Sequence, residues 1–198
     1  MDDVYGLSVD PTNNNVFASA SNEVTLWDIR SPSVKSTRLA TGNQFHAVMH
    51  SPTSPHLLVS ANSKEGVAVY DSRRPLHRLL HFYSSSVMST QGAMCVRFNR
   101  KGRLILALRR KQPPVLYDLR SPYPLVEFDS ADYYNSCTIK NCCFAGADES
   151  FVASGSDNFK VYLWAVPEAV MGETSEGPLR QQAMHYVPQA KQILNGHR

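Results

Sequence analysis

The sequence predicts an all-β fold built from about four copies of one unit of four antiparallel strands. The first observation is an aromatic residue that closes a strand-like run at near-constant spacing. It occurs at Trp27, Tyr70, Tyr117 and Trp164, with steps of 43, 47 and 47 residues. The second observation is that two further strand-like runs precede each of these endings in the same order, and a weaker run follows. Repeats of this length are typical of the blades of a β-propeller, in which each small sheet covers the apolar face of its neighbour.

The runs in each repeat are short, rich in β-branched or aromatic residues and bounded by turn formers, as expected for strands. The first predicted strands are Val4–Val9, Phe45–Met49, Met94–Phe98 and Asn141–Phe144. The second predicted strands are Val16–Ala20, Leu57–Ala61, Leu104–Leu108 and Phe151–Gly155. Third strands end at the aromatic positions, and weaker fourth strands lie near Thr37–Ala40, Leu79–Phe82, Leu125–Phe128 and Gln192–Leu194. The predicted repeats are residues 1–42, 43–87, 88–134 and 135–198.

A β-sandwich also has short strands at regular spacing. It does not require the same aromatic-Asp-x-Arg ending three times, so the propeller is favoured. Within the fourth repeat, residues 167–190 include a Gly- and Ser-containing stretch and predict a long exposed loop. Because an open arc leaves strand edges bare, we expect the four blades to be an incomplete ring from a larger parent protein.

The charge balance narrows the classes of partner. The net charge is only +3, so nucleic acid is not the expected partner. The densest positive cluster, Arg109-Arg110-Lys111, predicts a solvated hairpin tip, with a contact for an acidic peptide or nucleic acid as the alternative.

No apolar run is long enough to cross a membrane, and Asp2 and Asp3 stand where a signal peptide would carry lysines. We therefore expect an intracellular protein, in the nucleus, the cytoplasm or both.

Catalytic and metal-binding patterns are weak. A hydrolase triad could be assembled from His46, Ser60 and Asp71, but each occupies a position fixed by the repeat, and no nucleophile elbow is present. The adjacent Cys142 and Cys143 point to opposite faces of a strand, so they cannot easily share a zinc ion. We expect free thiols, buried or half-buried, and no enzyme activity, metal or cofactor.

The repeat endings resemble those of the WD-repeat family over essentially the whole chain. Trp27-Asp28 is the dipeptide of that family, and Tyr70-Asp71 and Tyr117-Asp118 are its common aromatic variant. Ser154-Gly155-Ser156-Asp157 followed by Trp164 matches the small-residue strand, turn aspartate and third-strand tryptophan. The fourth repeat departs from the pattern, because Ala165 stands where aspartate is usual. The resemblance implies strands linked by buried hydrogen bonds, a protein-binding scaffold and a parent protein with a seven-bladed ring.

The arginines that follow three of these pairs resemble a more specific signature, the WDxR box. In the WD-repeat family this box marks substrate receptors of the cullin-4 RING ubiquitin ligase, where it docks on damaged-DNA-binding protein 1. The resemblance implies that the adaptor contact involves the three boxes, which are Trp27, Asp28 and Arg30; Tyr70, Asp71 and Arg73; and Tyr117, Asp118 and Arg120. By position, each arginine lies just beyond a third strand, so the three should project from equivalent corners of their blades. A guanidinium there can bond a carboxylate in a bidentate manner, either within its own blade or on a partner.

Further segments are similar to one branch of the damaged-DNA-binding-protein-1- and cullin-4-associated factors. They are Ala61–Val67, Leu106–Arg110 with Pro113–Asp118, and Asn135–Thr138 with Cys142–Gly146. The resemblance implies a substrate receptor that binds the adaptor and presents an unidentified protein for ubiquitination. The alternative is a general WD scaffold without a ligase link, whose arginines only brace their own blades. A third class, an RNA-associated WD protein, would depend on Arg109, Arg110 and Lys111.

Overall fold

The computed structural model describes residues 3–30, 35–85, 92–136, 140–172 and 183–196. Within these ranges nearly all regular structure is strand, with one single-turn helix, α1 (Glu168–Met171). The strands are β1 (Gly6–Asp10), β2 (Asn13–Ala20), β3 (Glu23–Asp28), β4 (Lys35–Thr41), β5 (Phe45–His50), β6 (Leu57–Asn62), β7 (Gly66–Asp71), β8 (Arg78–Phe82), β9 (Ala93–Phe98), β10 (Leu104–Arg109), β11 (Val115–Asp118), β12 (Pro124–Phe128), β13 (Cys142–Ala145), β14 (Phe151–Gly155), β15 (Lys160–Ala165), β16 (His185–Val187) and β17 (Gln192–Asn195).

The strands pair into four sheets that follow one another along the chain. Three sheets have their antiparallel strands in chain order, β1 to β4, β5 to β8 and β9 to β12, and the fourth has the order β13-β14-β15-β17. The four antiparallel strands of each sheet fall within one of the residue ranges given to a repeat above, and β16, from the fourth range, adds a fifth strand to the third sheet. The weak fourth strand expected near Gln192–Leu194 is present as β17, which pairs antiparallel with β15.

The hairpin between β6 and β7 shows how local sequence closes these strands. The side-chain Oδ1 of Asn62 accepts hydrogen bonds from the backbone amides of Lys64 at 2.8 Å and Glu65 at 3.0 Å. Gly66 follows with a φ of +92°, a left-handed conformation that favours glycine. These local signals close the hairpin between β6 and β7.

The buried side chains fill the spaces between neighbouring sheets. Representative members are Ala18, Val24, Leu58 and Tyr70 between the first and second sheets; Val69, Phe82, Ile105 and Tyr117 between the second and third; and Leu106, Phe128, Val152 and Trp164 between the third and fourth. The innermost strands also lie side by side, with β1 against β5, β5 against β9 and β9 against β13. Blades of a propeller meet in this way, and over the described residues they form an open arc. The predicted fold class is confirmed.

Residues 167–190 were predicted to form an exposed loop. The described parts of this segment instead contain a short helix and a strand. Helix α1 places Val170 in the core between the third and fourth sheets, where it is 1% exposed. Strand β16 then runs parallel to β12, pairing Val126 with His185 and Phe128 with Val187. The physical reason is that β12 is the outer edge of its sheet, so its backbone groups are available to another strand. Residues 173–182 lie outside the described part of the chain.

Two further expectations concern membranes and cysteines. None of the helical structure in the described ranges has the length and apolarity needed to span a bilayer. Cys142 and Cys143 do face opposite sides of β13, with Cys142 buried. The expectation that the thiols are buried or half-buried is wrong for Cys143, which is exposed because it lies on the face of the fourth sheet that no other described sheet covers.

Candidate functional site

The three predicted arginine boxes form one repeated structure, which we call the arginine corners. Each consists of the aspartate that ends a third strand and the arginine two residues later: Asp28 with Arg30, Asp71 with Arg73, and Asp118 with Arg120. In every corner the arginine Nε donates to Oδ1 of the aspartate at 2.9 Å. The Nη2 group donates to Oδ2 at 2.6, 2.6 and 2.8 Å, respectively. Of the two sequence-based options for the guanidinium, the carboxylate of its own blade is the one that the structure shows.

The same aspartate also fixes the backbone of the corner. Its Oδ1 accepts the backbone amide of the arginine at 3.0, 2.9 and 2.9 Å in the three blades. An aspartate that bonds the backbone two residues ahead makes a tight turn. Because the two guanidinium bonds form a planar fork on that carboxylate, both the turn and the arginine side chain are held in one orientation.

The corners differ in exposure. The side chains of Arg30 and Arg73 are 59% and 66% exposed, whereas that of Arg120 is 26% exposed. Asp118 is nearly inaccessible at 1%, while Asp28 remains 32% exposed. The first two corners therefore present their arginines to solvent, and the third is largely enclosed.

Arg103, which no motif in the sequence marks, explains why the third corner is enclosed. Its Nη1 lies 3.8 Å from Oδ2 of Asp118, and its Nη2 donates to the carbonyl of Val170 at 2.6 Å. Arg103 comes from the turn before β10 and Val170 from helix α1, so the contact depends on tertiary structure. The repeat pattern contains no signal for it.

Hydrogen bonding keeps the second corner ionised. The side-chain bond from Arg73, followed by its backbone bond, holds the pKa of the Asp71 carboxyl well below its usual range. The bond to Asp71 in turn raises the pKa of Arg73, and Asp28 does the same for Arg30. The first two corners are thus dipolar pairs with little net charge.

The aromatic members of the boxes serve the blades. Tyr70 and Tyr117 are buried, and the Tyr117 hydroxyl donates to the backbone carbonyl of Tyr83 at 2.7 Å. Trp27 donates from Nε1 to Oγ of Ser19 at 2.8 Å and stacks on Phe17. A partner that touches the second or third corner would therefore meet the arginine rather than the aromatic ring.

The fourth repeat shows what happens without the aspartate. Trp164 is fully buried and donates from Nε1 to the backbone carbonyl of Asp129 at 2.6 Å, so the blade keeps its tryptophan. Ala165 offers no carboxylate, and the chain continues into Pro167 and α1 instead of a turn with an arginine. Within the described residues the corners therefore belong to the first three blades.

All three corners lie on one rim of the arc. They follow β3, β7 and β11, which are the third strands of consecutive sheets whose innermost strands lie side by side. Equivalent strands run in the same direction relative to the axis, so their ends face the same way. The chain therefore carries a row of three similar, pre-oriented guanidinium groups.

The structure does not bring together the residues of the hydrolase triad that the sequence offered. His46 is near the beginning of β5, and Asp71 is the last residue of β7. Strands β5 and β7 both pair antiparallel with β6, so these two positions lie at opposite ends of the sheet. Asp71 is already engaged by Arg73.

The basic cluster is divided by burial. Arg109, predicted to be part of a solvated tip, is completely buried: its Nη2 donates to the carbonyl of Phe82 at 2.7 Å, and its guanidinium lies 5.9 Å from the centre of the Tyr117 ring. That part of the prediction is wrong, because the carbonyl of Phe82 and the aromatic face of Tyr117 satisfy the cation. Arg110 and Lys111 are exposed.

The four sheets around a common axis, the WD-type strand endings and the row of corners define this chain as an arc of a WD-repeat β-propeller. It is similar to DDB1- and CUL4-associated factor 5 from human and from mouse, at 46% identity over 170 residues in each case. This is the branch that the sequence segments indicated, the fifth of these factors, so the resemblance is confirmed. The matched region covers 84% of this chain and 18% of each relative, so the chain spans about a fifth of their length. No family model matches the chain.

Proposed function

We propose that this chain is the propeller part of a substrate receptor for a cullin-4 RING ubiquitin ligase, in which the rim of arginine corners docks on damaged-DNA-binding protein 1. The observation that carries the proposal is the row of corners with the same geometry on consecutive blades of a chain that is 46% identical to a DDB1- and CUL4-associated factor. The function is positional: the arc holds a target protein near the transferring enzyme and performs no covalent chemistry itself. Such a receptor acts in the nucleus, the cytoplasm or both.

The corner geometry suits a directional contact. Arg73 uses its Nε and Nη2 groups on Asp71, and its exposed Nη1 edge can donate to a carbonyl or carboxylate of the adaptor. Because the aspartate has already fixed the side chain, little rotamer entropy is lost on docking. Because the two exposed corners, at Arg30 and Arg73, are each close to neutral, adaptor binding should depend only shallowly on salt.

The test is binding of the purified 198-residue chain to purified damaged-DNA-binding protein 1, measured by biolayer interferometry. Arg73→Ala should weaken binding about tenfold, the effect of losing one charge-assisted hydrogen bond, and Arg30→Ala with Arg73→Ala should weaken it further. Arg74→Ala is the matched control, since Arg74 is the adjacent exposed arginine. Undiminished binding by the double variant would remove the corners from the adaptor contact.

A second candidate function has its own supporting observation. All three guanidinium groups are bonded to aspartates of their own blades, as a general WD scaffold with bracing arginines requires. In that case Arg73→Ala should lower the melting temperature and leave the binding of every partner unchanged. Measuring the melting temperature beside the adaptor affinity separates the two functions.

A further inference from the structure

The most unusual exposed residue in the described chain is Phe159, in the hairpin turn between β14 and β15. The residue is 80% exposed, and its backbone has a φ of +63°, in the left-handed region. Aromatic residues rarely adopt that conformation, and the hairpin of the second blade uses Gly66 at its left-handed position. A large apolar side chain is therefore held in solvent at a conformational cost, a combination that occurs at binding sites more often than in passive turns.

Tyr134 lies beside the same turn and is half exposed. The backbone amide of Asp157 donates to the carbonyl of Tyr134 at 2.9 Å, and the amide of Tyr134 donates to Oγ of Ser156 at 3.2 Å. Asn158 donates from Nδ2 to the carbonyl of Asp132 at 2.8 Å. These bonds fasten the connection before β13 to the turn, so the two exposed aromatic residues are carried on one fixed platform.

The other side of this platform is basic. Arg110 donates from Nε to the carbonyl of Ser136 at 3.2 Å, and the backbone amide of Lys111 donates to the carbonyl of Asn135 at 3.4 Å. Residues 134–136 thus lie between the aromatic turn of the fourth blade and the exposed pair Arg110 and Lys111 of the third blade. We call Arg110, Lys111, Tyr134 and Phe159 the aromatic–basic surface.

Nearby acids do not cancel its positive side. Asp157 is engaged within the platform by Lys140 and by the backbone amide of Ser136. The exposed acid Asp132 is at the aromatic end, next to Asn158, rather than beside Arg110. The surface is therefore polarised, with two cations at one end and two aromatic side chains at the other.

We propose that the aromatic–basic surface docks an acidic segment of a partner protein through an aromatic or aliphatic anchor. The anchor packs on Phe159 and Tyr134, and the acids pair with Arg110 and Lys111. This surface is at the start of β11 and β15, whereas the arginine corners follow the ends of third strands. The two sites therefore lie on opposite rims, and this inference holds whether or not the corners bind a ligase adaptor.

The test uses the 198-residue chain and fluorescein-labelled twelve-residue peptides, with fluorescence anisotropy as the readout at low and physiological salt. The first peptide contains glutamate and aspartate around a central Leu-Trp pair. The second replaces the acids by glutamine and asparagine, the third replaces the Leu-Trp pair by alanine, and a twelve-nucleotide oligouridine serves as the RNA probe. We expect the first peptide to bind at least tenfold more tightly than any of the other three probes.

Two changes in the chain then locate the contact. Phe159→Gly should weaken binding of the first peptide at least fivefold without lowering the melting temperature, because glycine relieves the left-handed strain. Leu76→Gly is the matched control: Leu76 is also exposed, with a φ of +64°, but lies before β8. The double change Arg110→Glu and Lys111→Glu should have a similar effect on binding, whereas Lys64→Glu in the second-blade hairpin should have none.

Three results would overturn the proposal. They are equal binding of the neutral peptide, tighter binding of the oligouridine, and unchanged affinity for the acidic peptide in the Phe159→Gly variant. The last is decisive, because this variant is expected to fold at least as well as the wild type.

Discussion

The third arginine corner allows a stability prediction that depends on burial. Replacing Asp118 by asparagine keeps the size of the side chain but removes its charge and turns one acceptor oxygen into a donor group. In the folded chain that carboxylate accepts the backbone amide of Arg120 at 2.9 Å, its Nε at 2.9 Å and its Nη2 at 2.8 Å. Asparagine can retain one of the two guanidinium bonds, and its own amide then faces the donors of the other.

The magnitude follows from the exposure of the groups. A hydrogen bond to a charged group contributes about 1.5–3 kcal/mol, and removing one partner of a buried ion pair costs roughly 3–5 kcal/mol. Arg120 is 26% exposed and Arg103 14% exposed, so water recovers part of the loss. We therefore expect Asp118→Asn to lower the free energy of unfolding by about 2–3 kcal/mol, which for a chain of this size lowers the melting temperature by roughly 4–12 °C.

The first corner provides the matched comparison. Asp28 makes the same bonds, but it is 32% exposed and its arginine 59% exposed, so Asp28→Asn should have a much smaller effect. The assay is thermal unfolding followed by circular dichroism for the wild type and both variants at neutral pH. Equal losses in the two variants, or a change below 2 °C in Asp118→Asn, would show that burial does not set the contribution of a corner.

The remaining predictions concern the core and pH. Burial lowers the pKa of His50, partly opposed by Asp10, so the chain should lose stability as pH falls below about 6.5; His50→Gln should reduce the fall in melting temperature between pH 7.5 and 5, and His46, whose pKa burial also lowers, should account for part of what remains. Val170→Asp should lower the melting temperature by at least 5 °C, since Val170 is buried against the third and fourth sheets; a neutral effect would mean that α1 is not docked. Tyr133→Phe removes a buried hydroxyl 2.9 Å from Oγ of Ser154 and should cost about 1 kcal/mol in urea unfolding, whereas Tyr123→Phe, at an exposed ring, should cost nothing measurable.

The blades could be predicted from the sequence because their signals are local and repeated. The aromatic residues at 43- and 47-residue steps mark the ends of third strands, and turn formers such as Asn62 and Gly66 close hairpins within a few residues. The aspartate and arginine of a corner are two residues apart, so their turn is encoded in the same short stretch. These features do not depend on what lies across the blade interface.

The features that could not be predicted from the sequence depend on residues that are distant along the chain. Arg109 resembles its exposed neighbours in sequence, but the carbonyl of Phe82 and the ring of Tyr117 make it a buried residue. Strand β16 is three residues long, and its partner β12 lies more than fifty residues earlier. A pairing of this kind has no periodic signal, because it is decided by an edge that is available only after the third sheet has formed.

The exposed Phe159 shows where local and tertiary information conflict. Asp157 and Asn158 indicate a turn, and turn chemistry would place glycine or asparagine at a left-handed position rather than phenylalanine. The fold nonetheless holds Phe159 there through bonds of the turn to Tyr134 and Asp132. The arginine corners show no such conflict, since their local turn and their bidentate bonds favour the same geometry. Partner contacts at the corners should therefore cost the chain little conformational strain. At the aromatic–basic surface, the folded state already bears the cost of holding Phe159 exposed, so binding does not have to supply it again.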